Sequence, residues 1–506
     1  MTTVTAASVA QRHAHRDPRV LRWLGAYTSS MLGDNVYYLA LSWAAVQAGT
    51  PAQAGLVLSV SALPRAVLML GGGVIADRFG PRRVVIASDA VRCAAVLAVA
   101  ALLLLTRPGL WPLALLALLF GTVDAVFMPA VGALPARITG PDQLARVQGM
   151  RGLSIRFASV VGAPLGGLGV AAGGAAAAFG LAGLLIAVSL PLLISVPMRD
   201  LPGEEASGQV SGAGSAEALE GLSGGVGPAV PAGAAGAAEA VAADLAASAD
   251  VVAAVSAASA DAVAAAPAGP AASPAPSASE APATPATPAA PTAPSAPAGE
   301  RLAAGAWRDL KAGLSYIRGH RVLAPLMLAI ALGDLGFVGP LNVGLTLLAD
   351  HRGWGATGMG WVLAGFGVGA GAVSLLLTVR GRLPRAGLVA GCACTTGAVA
   401  VGFLGQAGSL PAAVGTALLI GLATGLSGAM CGALLQTQGD PAYLGRVSSV
   451  AGLVSLGFAP LSMPFAAAAI GAWGLGPVYA VSAAVCGLGG LVFLCFPALR
   501  RAELPA

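Results

Sequence analysis

Hydrophobic residues in this chain fall into long uninterrupted runs separated by short polar breaks, and one polar interruption over 199–300 splits the runs into two sets. The runs lie near 21–48, 54–76, 84–106, 110–137, 151–172, 175–198, 322–349, 357–379, 386–407, 411–437, 447–470 and 475–497. A helix crossing the hydrocarbon layer needs roughly 20 mostly apolar residues, because each adds about 1.5 Å, and these runs have that length. Strands of a membrane barrel would alternate over about ten residues, and backbone groups in lipid must be paired within their own segment. Continuous runs therefore predict an all-α membrane protein with twelve transmembrane helices. The first run is longer than the apolar core of a secretion signal, carries Asp34 at its middle and lacks a clear cleavage site, so it is expected to be retained as the first span.

Composition agrees with this pattern. The 506 residues are 57% hydrophobic and only 10% charged, with a mean hydropathy of +0.81, values no soluble domain of this size normally shows. Charge adds an orientation. Of 27 basic residues, Arg107 and Arg352 fall in loops on one side, Arg65, Arg92 and Arg156 fall inside spans, and the other 22 lie on the opposite side. That bias predicts both termini and the central segment in the cytoplasm. The net charge of +5 is thus a topology signal, and nucleic acid is not an expected partner; the lipid bilayer is. Twenty-six arginines against one lysine, with abundant Ala, Gly and Pro, fit a GC-rich bacterial coding sequence and hence a bacterial cytoplasmic (inner) membrane. All six cysteines lie within predicted spans and read as small apolar packing residues, and no cofactor or metal is expected.

Residues 200–300 contain no Lys or Arg, eleven Asp or Glu, and otherwise mainly Ala, Pro, Gly, Ser and Thr. Such a segment cannot bury a core and predicts an extended acidic tether. After it, Trp307, Leu310, Leu314 and Ile317 recur on one helix face while Arg308, Lys311 and Arg318 occupy the others, which predicts an interfacial amphipathic helix over 301–321. The domain plan is then a cytoplasmic segment 1–20, a six-helix bundle 21–198, the linker 199–300, the interfacial helix, a second bundle 322–497 and a tail 498–506.

The two bundles repeat each other at an offset of 300. Leu32-Gly33-Asp34 returns as Leu332-Gly333-Asp334, Gly132-Ala133-Leu134 returns as Gly432-Ala433-Leu434, and Pro141-x-x-Leu144-x-Arg146-Val147 returns as Pro441-x-x-Leu444-x-Arg446-Val447. Ordered matches landing on equivalent spans imply two parallel six-helix halves. In that arrangement a substrate site lies between the halves near the midplane, and access alternates as one half rocks on the other.

Behind the second span stands Gly73-Val-Ile-Ala-Asp77-Arg78-Phe79-Gly80-Pro81-Arg82-Arg83. It resembles the G-x-x-x-D-R-x-G-x-R-R signature of the major facilitator superfamily. Physically, Gly73 allows close helix approach, Gly80 a tight turn, and Asp77 can receive the positive end of a neighbouring helix, while Arg78, Arg82 and Arg83 hold the loop at the cytoplasmic face. The resemblance implies a conformational latch that holds the halves in an outward-facing state. The matching loop, Arg380-Gly381-Arg382-Leu383-Pro384-Arg385, lacks the acidic residue, so the latch is expected on one side only. Within the superfamily, Gly33-Asp34, Ala62-Leu63-Pro64-Arg65, Ser88-Asp89-x-x-Arg92 and Asp124 followed by Pro129-Ala130 look like the third drug:proton antiporter branch, the macrolide-efflux and enterobactin-exporter type. Two departures stand out: the fourth span lacks the arginine of the R-x-x-q-G element, and the fifth carries Gly162-Ala-Pro164-Leu-Gly166-Gly167 in place of G-P-x-x-G-G.

An ionisable side chain at a helix centre costs about 2.5 to 3.5 kcal/mol on insertion scales, so it calls for a cavity, a partner or a function. Asp34, Arg65, Asp124, Arg156 and Asp334 are the deepest. Depth along consecutive spans suggests Asp34 with Arg65 and Asp124 with Arg156 as pairs, and places Asp89 and Arg92, one turn apart, as a structural pair bracing the loop motif. Asn35, Tyr38, Gln47, Asn342 and Gln436 are further cavity candidates.

The function expected from these residues is secondary active export of a small amphiphilic compound, such as a drug, antibiotic or siderophore, driven by protons and carried out by a monomer. No P-loop is present, and no nucleophile–base or metal-ligand spacing marks an enzyme. Uptake or uniport of a metabolite uses the same fold, and a scaffold acting through the linker is an alternative of a different class.

Overall fold

The computed structural model describes residues 17–106, 109–140, 143–196, 311–380, 384–440 and 443–503. Helices α1 (Pro18–Ala48), α2 (Pro51–Phe79), α3 (Pro81–Leu105), α4 (Trp111–Ile138) and α5 (Leu144–Ile194) form the first half. The second half contains α6 (Leu323–Gly339), a π-turn (Pro340–Gly344), α7 (Leu345–His351), α8 (Gly355–Arg380), α9 (Ala386–Gln406), α10 (Leu410–Gln438), α11 (Leu444–Trp473), α12 (Leu475–Cys495) and a last turn α13 (Pro497–Arg500). Helix fills most of each of the twelve predicted ranges among the described residues, and nine of the described helices are long and apolar enough to cross a membrane.

Local chemistry sets several starts. Asp17 accepts from the Arg19 amide at 2.9 Å ahead of Pro18, and Thr50 with Gln53 forms a capping box ahead of Pro51, so each helix begins with its free amides partly satisfied and φ preset. Between α2 and α3 the chain turns at Gly80, whose φ of +82° is a conformation side-chain-bearing residues avoid. Helix α5 holds two predicted spans. It breaks at Gly173 and Gly174, the latter with φ +71° and ψ −169°, and Gly169 lies against Ala178 across the resulting reversal. The predicted runs near 151–172 and 175–198 leave only these two residues between them, and two adjacent glycines suffice for the reversal.

Apart from α9 on α10, consecutive helices are not the main neighbours. Helix α1 packs on α5 and α2 packs on α4, while in the second half α6 packs on α12 and α8 on α10. The halves meet through α2 against α11 and α5 against α8, contacts that are equivalent under the repeat. Small residues allow the approach: Gly55 lies against Ala467, and Gly167 and Gly360 lie against Ala356 and Ala163. Two hydrogen bonds join the halves at the same end, Ser42 with Thr346 at 2.5 Å and Gln47 Nε2 to Asp350 Oδ1 at 2.7 Å. We call this end distal and the end holding Pro18 proximal.

The buried core separates along the same line. Distal clusters cross between halves, with Val36, Tyr37 and Leu41 joined to Val343, Leu347 and Ala467. Proximal clusters stay within one half: Val20, Trp23, Leu134 and Val147 in the first, and Ile317, Leu323, Leu434 and Leu499 in the second. The outer faces carry exposed apolar side chains such as Leu184, Leu375, Phe403 and Phe465, as a lipid-facing surface requires. Trp111 and Trp473 stand exposed at distal helix ends, where indole rings favour the membrane interface. The six cysteines are free.

Helix over 311–319 packs on the proximal end of the second half, Ile317 buried and the Tyr316 ring stacked on Tyr443 at 4.5 Å. Trp307, Leu310 and the linker 199–300 lie outside the described residues. Because the linker has neither an apolar core nor basic anchors, replacing 205–295 with a shorter flexible segment is expected to leave transport intact. Transport assays on wild-type and deletion proteins at matched membrane levels check this; an inactive deletion would make the tether a working part.

Candidate functional site

Ser30, Asp34, Tyr38 and Ser42 recur every four residues along α1 and so form one polar stripe facing inward. Its lower part meets Arg92 of α3, which is fully buried. Arg92 Nη1 donates to both oxygens of Asp34, at 3.0 and 2.9 Å, and to Asp124 Oδ1 of α4 at 3.4 Å. Arg92 Nη2 donates to Asp89, one turn back on α3, and to Ser30 Oγ at 3.3 Å. Ser30 and Ser189 donate in turn to the two oxygens of Asp89, at 3.1 and 2.5 Å. The Phe127 ring lies 4.0 Å from the guanidinium carbon and covers its face.

From Asp124 the network continues to the middle of the molecule. The Tyr38 hydroxyl donates to Asp124 Oδ2 at 3.0 Å, and Arg65 Nη2 of α2 donates to that hydroxyl at 2.7 Å while lying 3.5 Å from Asp124 Oδ2. Arg65, Tyr38, Asn35 and Asn342 line a cavity of about 390 Å³ between the halves, whose apolar wall includes Leu341, Met359 and Phe366. Asn342 belongs to the π-turn, a helix irregularity often found at working sites. Three carboxylates, Asp34, Asp89 and Asp124, thus share two guanidinium groups among the described residues. The ionised cluster holds one negative charge more than its cations neutralise.

Two expected pairings are corrected. Asp34 pairs with Arg92 rather than Arg65, and Asp124 pairs with Arg65 and Arg92 rather than Arg156. For Asp124 the cause is helix order in space, since α4 touches α2 and α3 far more than α5; for Asp34 it is the reach of the long Arg92 side chain, which spans from α3 to α1. Arg156 is exposed on α5 and lines neither described cavity, and the same holds for Gln436 on α10. Gln47 sits at the distal seam instead of the cavity. Asp89 and Arg92 are indeed partners, yet Arg92 is the centre of the buried cluster rather than a brace for the loop. Sequence depth misled because α3 starts at Pro81, which sets Arg92 eleven residues and about 16 Å along the helix. Asp334 lies apart from the other acids, in a cavity of the second half.

Of the loop motif, Gly80 makes the α2–α3 turn and Arg82 Nη2 donates to the Ile194 carbonyl at 2.7 Å. Arg83 also has a partner. The side chains of Gly73, Asp77 and Arg78 lie outside the described residues. Among the described residues no three His, Cys, Asp or Glu side chains are placed to hold a metal ion.

Membrane-crossing helices in two matched halves, closed together at one end around a cavity with polar and apolar walls, define a transporter of small molecules. The chain belongs to the Major Facilitator Superfamily, whose match covers residues 23–459. It is similar to the Enterobactin exporter EntS of Salmonella paratyphi A, 27% identical over 150 residues, 30% of this chain and 36% of that protein. The Shigella flexneri protein of the same name is 28% identical over 145 residues, 29% of this chain and 35% of that one. The chain therefore spans about a third of the length of the curated relatives it matches. Among solved structures, a POT family transporter in complex with 5-aminolevulinic acid superposes with a TM-score of 0.58 at 12% identity, covering 95% of this chain and 96% of that one. A D-xylose-proton symporter gives 0.56 at 13% identity, covering 96% and 98%. These likenesses show the fold.

Proposed function

We propose that this protein is a proton-coupled exporter of a small amphiphilic organic compound in a bacterial cytoplasmic membrane. The observation that carries the reading is the cluster of three carboxylates on two guanidinium groups, connected to the cavity between the halves through Tyr38 and Arg65. One proton balances its charge, and the cavity wall gives an amphiphile both an apolar surface and a few polar contacts. Among the three acids, Asp89 accepts from Arg92, Ser30 and Ser189, and Asp124 accepts from Arg92 and Tyr38 and pairs with Arg65. Asp34 accepts from Arg92 alone among the described residues, so it is the anion with the least support and the group assigned the proton.

The basic-residue bias places the proximal end in the cytoplasm, which makes the described conformation inward-facing with its outer end shut. Similarity to enterobactin exporters favours efflux and makes siderophore-like compounds sensible first substrates. Inverted vesicles energised to acid inside, screened with a panel of drugs, antibiotics and siderophores, test the reading. Accumulation of a compound that collapses with a protonophore is expected; movement only down its own gradient would make the protein a uniporter, and no movement would favour the scaffold.

The loop motif belongs to the opposite state, in which the proximal ends close. Asp77→Asn is therefore expected to slow turnover severalfold while membrane insertion stays normal, because a helix-end interaction of about 0.3 to 2 kcal/mol shifts a balanced equilibrium by that much. Transport rates normalised to the amount of protein in the membrane check this, and unchanged kinetics would remove the latch.

A further inference from the structure

The second half contains a cavity of about 420 Å³ enclosed by α6, α9, α10, α11 and α12. Asp334, the repeat partner of Asp34, faces it from α6. Ser455 gives the Asp334 carboxylate one hydrogen bond, while its Oδ2 is buried with no partner. In the first half the corresponding space is filled: Arg92 occupies it, Phe127 covers the guanidinium and Asp124 shares it. At the constant offset of 300, Asp124 becomes Thr424 and Phe127 becomes Ser427, both lining the cavity, and α9 has no charged residue anywhere along Ala386–Gln406. No Arg, Lys or His is among the residues lining this space, and Asp334 makes no ion pair among the described residues. The second half has kept the acid and lost everything that neutralises it.

We propose that this cavity binds an organic cation, a single positive charge on an apolar body, which sits against Asp334 as the guanidinium of Arg92 sits against Asp34. Volume decides against an inorganic ion as the natural guest, since a bare ion needs a close cage of oxygen ligands whereas a space of this size suits a drug-sized molecule. The walls are mainly apolar, and Phe337 and Phe493 supply rings whose faces attract a cation. Phe337 also touches Phe366 of the cavity between the halves, ring centroids 6.0 Å apart, so the two spaces adjoin. The inference is independent of the proton coupling proposed above, because it concerns binding at equilibrium without a gradient.

The probe is tetraphenylphosphonium on the purified full-length protein, with neutral triphenylphosphine oxide as the comparison. Cys394 lines the cavity and reports its occupancy in a variant whose other five cysteines are replaced by alanine. Tetraphenylphosphonium is expected to slow alkylation of Cys394 with a half-point equal to its Kd, and the neutral compound is expected not to. Asp334→Asn should weaken binding by about ten- to a hundredfold, the usual effect of losing a charged partner in a buried site. Cys394→Arg, in the protein with its other cysteines intact, restores an internal cation and should abolish binding, read by equilibrium dialysis of radiolabelled tetraphenylphosphonium, with an unchanged or higher melting temperature. Ser427→Phe, which refills the space as Phe127 does, is the second variant should the arginine prevent folding. Binding that leaves Cys394 reactive, equal affinity in Asp334→Asn, or protection of Cys394 by sodium or protons alone would each overturn the proposal.

Discussion

Arg92→Met is expected to destabilise the purified protein by on the order of 3–5 kcal/mol, the loss typical of breaking a buried ion pair from one side. Methionine fills much of the volume and leaves helix α3 intact, so the loss reports the charge and its hydrogen bonds. Arg92 is fully buried, is the sole partner of Asp34 among the described residues, and bridges Asp89 and Asp124 on either side. Without it Asp34 faces the interior unpaired, whereas Asp89 keeps Ser30 and Ser189 and Asp124 keeps Arg65 and Tyr38. Arg92→Lys should recover only part of the loss, because an ammonium cannot present the forked donors that reach several carboxylates together. Arg65→Ala should be milder than Arg92→Met: its side chain is 24% exposed and Asp124 still has Arg92. Unfolding followed in detergent decides the order, and a wild-type transition in Arg92→Met would mean the cluster contributes little.

Asp34→Asn is expected to abolish uphill accumulation while substrate binding and downhill exchange persist. Asparagine has the shape of a protonated aspartic acid, and it leaves two carboxylates with two guanidinium groups, a cluster that no longer needs a proton for balance. The variant is fixed in one of the two states between which a coupled carrier must alternate. Side-by-side measurement of counterflow and of accumulation against a pH gradient separates the two capacities. Uphill transport at the normal rate with an unchanged pH profile would move the proton to Asp124 or Asp334.

Most of the fold was legible because lipid imposes it. Only segments that satisfy their own backbone can cross, so apolar length marks the spans, and the offset of 300 between Asp34 and Asp334 reveals the two halves. The partners of the buried charges were not legible. Proximity in sequence suggested that α1 and α2 would pair their charges, but each half interleaves its helices so that α1 meets α5 and α2 meets α4. A signal for Arg92 did exist: it falls inside the third predicted span, one turn from Asp89. The empty counterpart in the second half has no sequence signature of its own, since Thr424, Ser427 and Cys394 are each unremarkable until the repeat is laid over the packing.

The distal turns carry a practical consequence. Gly49-Thr50 joins α1 to α2, Arg352–Trp354 joins α7 to α8, Ala407–Ser409 joins α9 to α10, Gly474 alone joins α11 to α12, and Gly173-Gly174 folds α5 on itself. With the proximal end in the cytoplasm, as proposed above, these turns and the α3–α4 connection over 106–110 are what the protein shows to the outside. An antibody or a bound phage would find helix tips and lipid headgroups rather than a polypeptide surface. A tag inserted in one of these turns would pry apart two helices whose spacing the turn sets, so epitopes and labels are better carried in the segment 205–295, whose replacement is expected to leave transport intact.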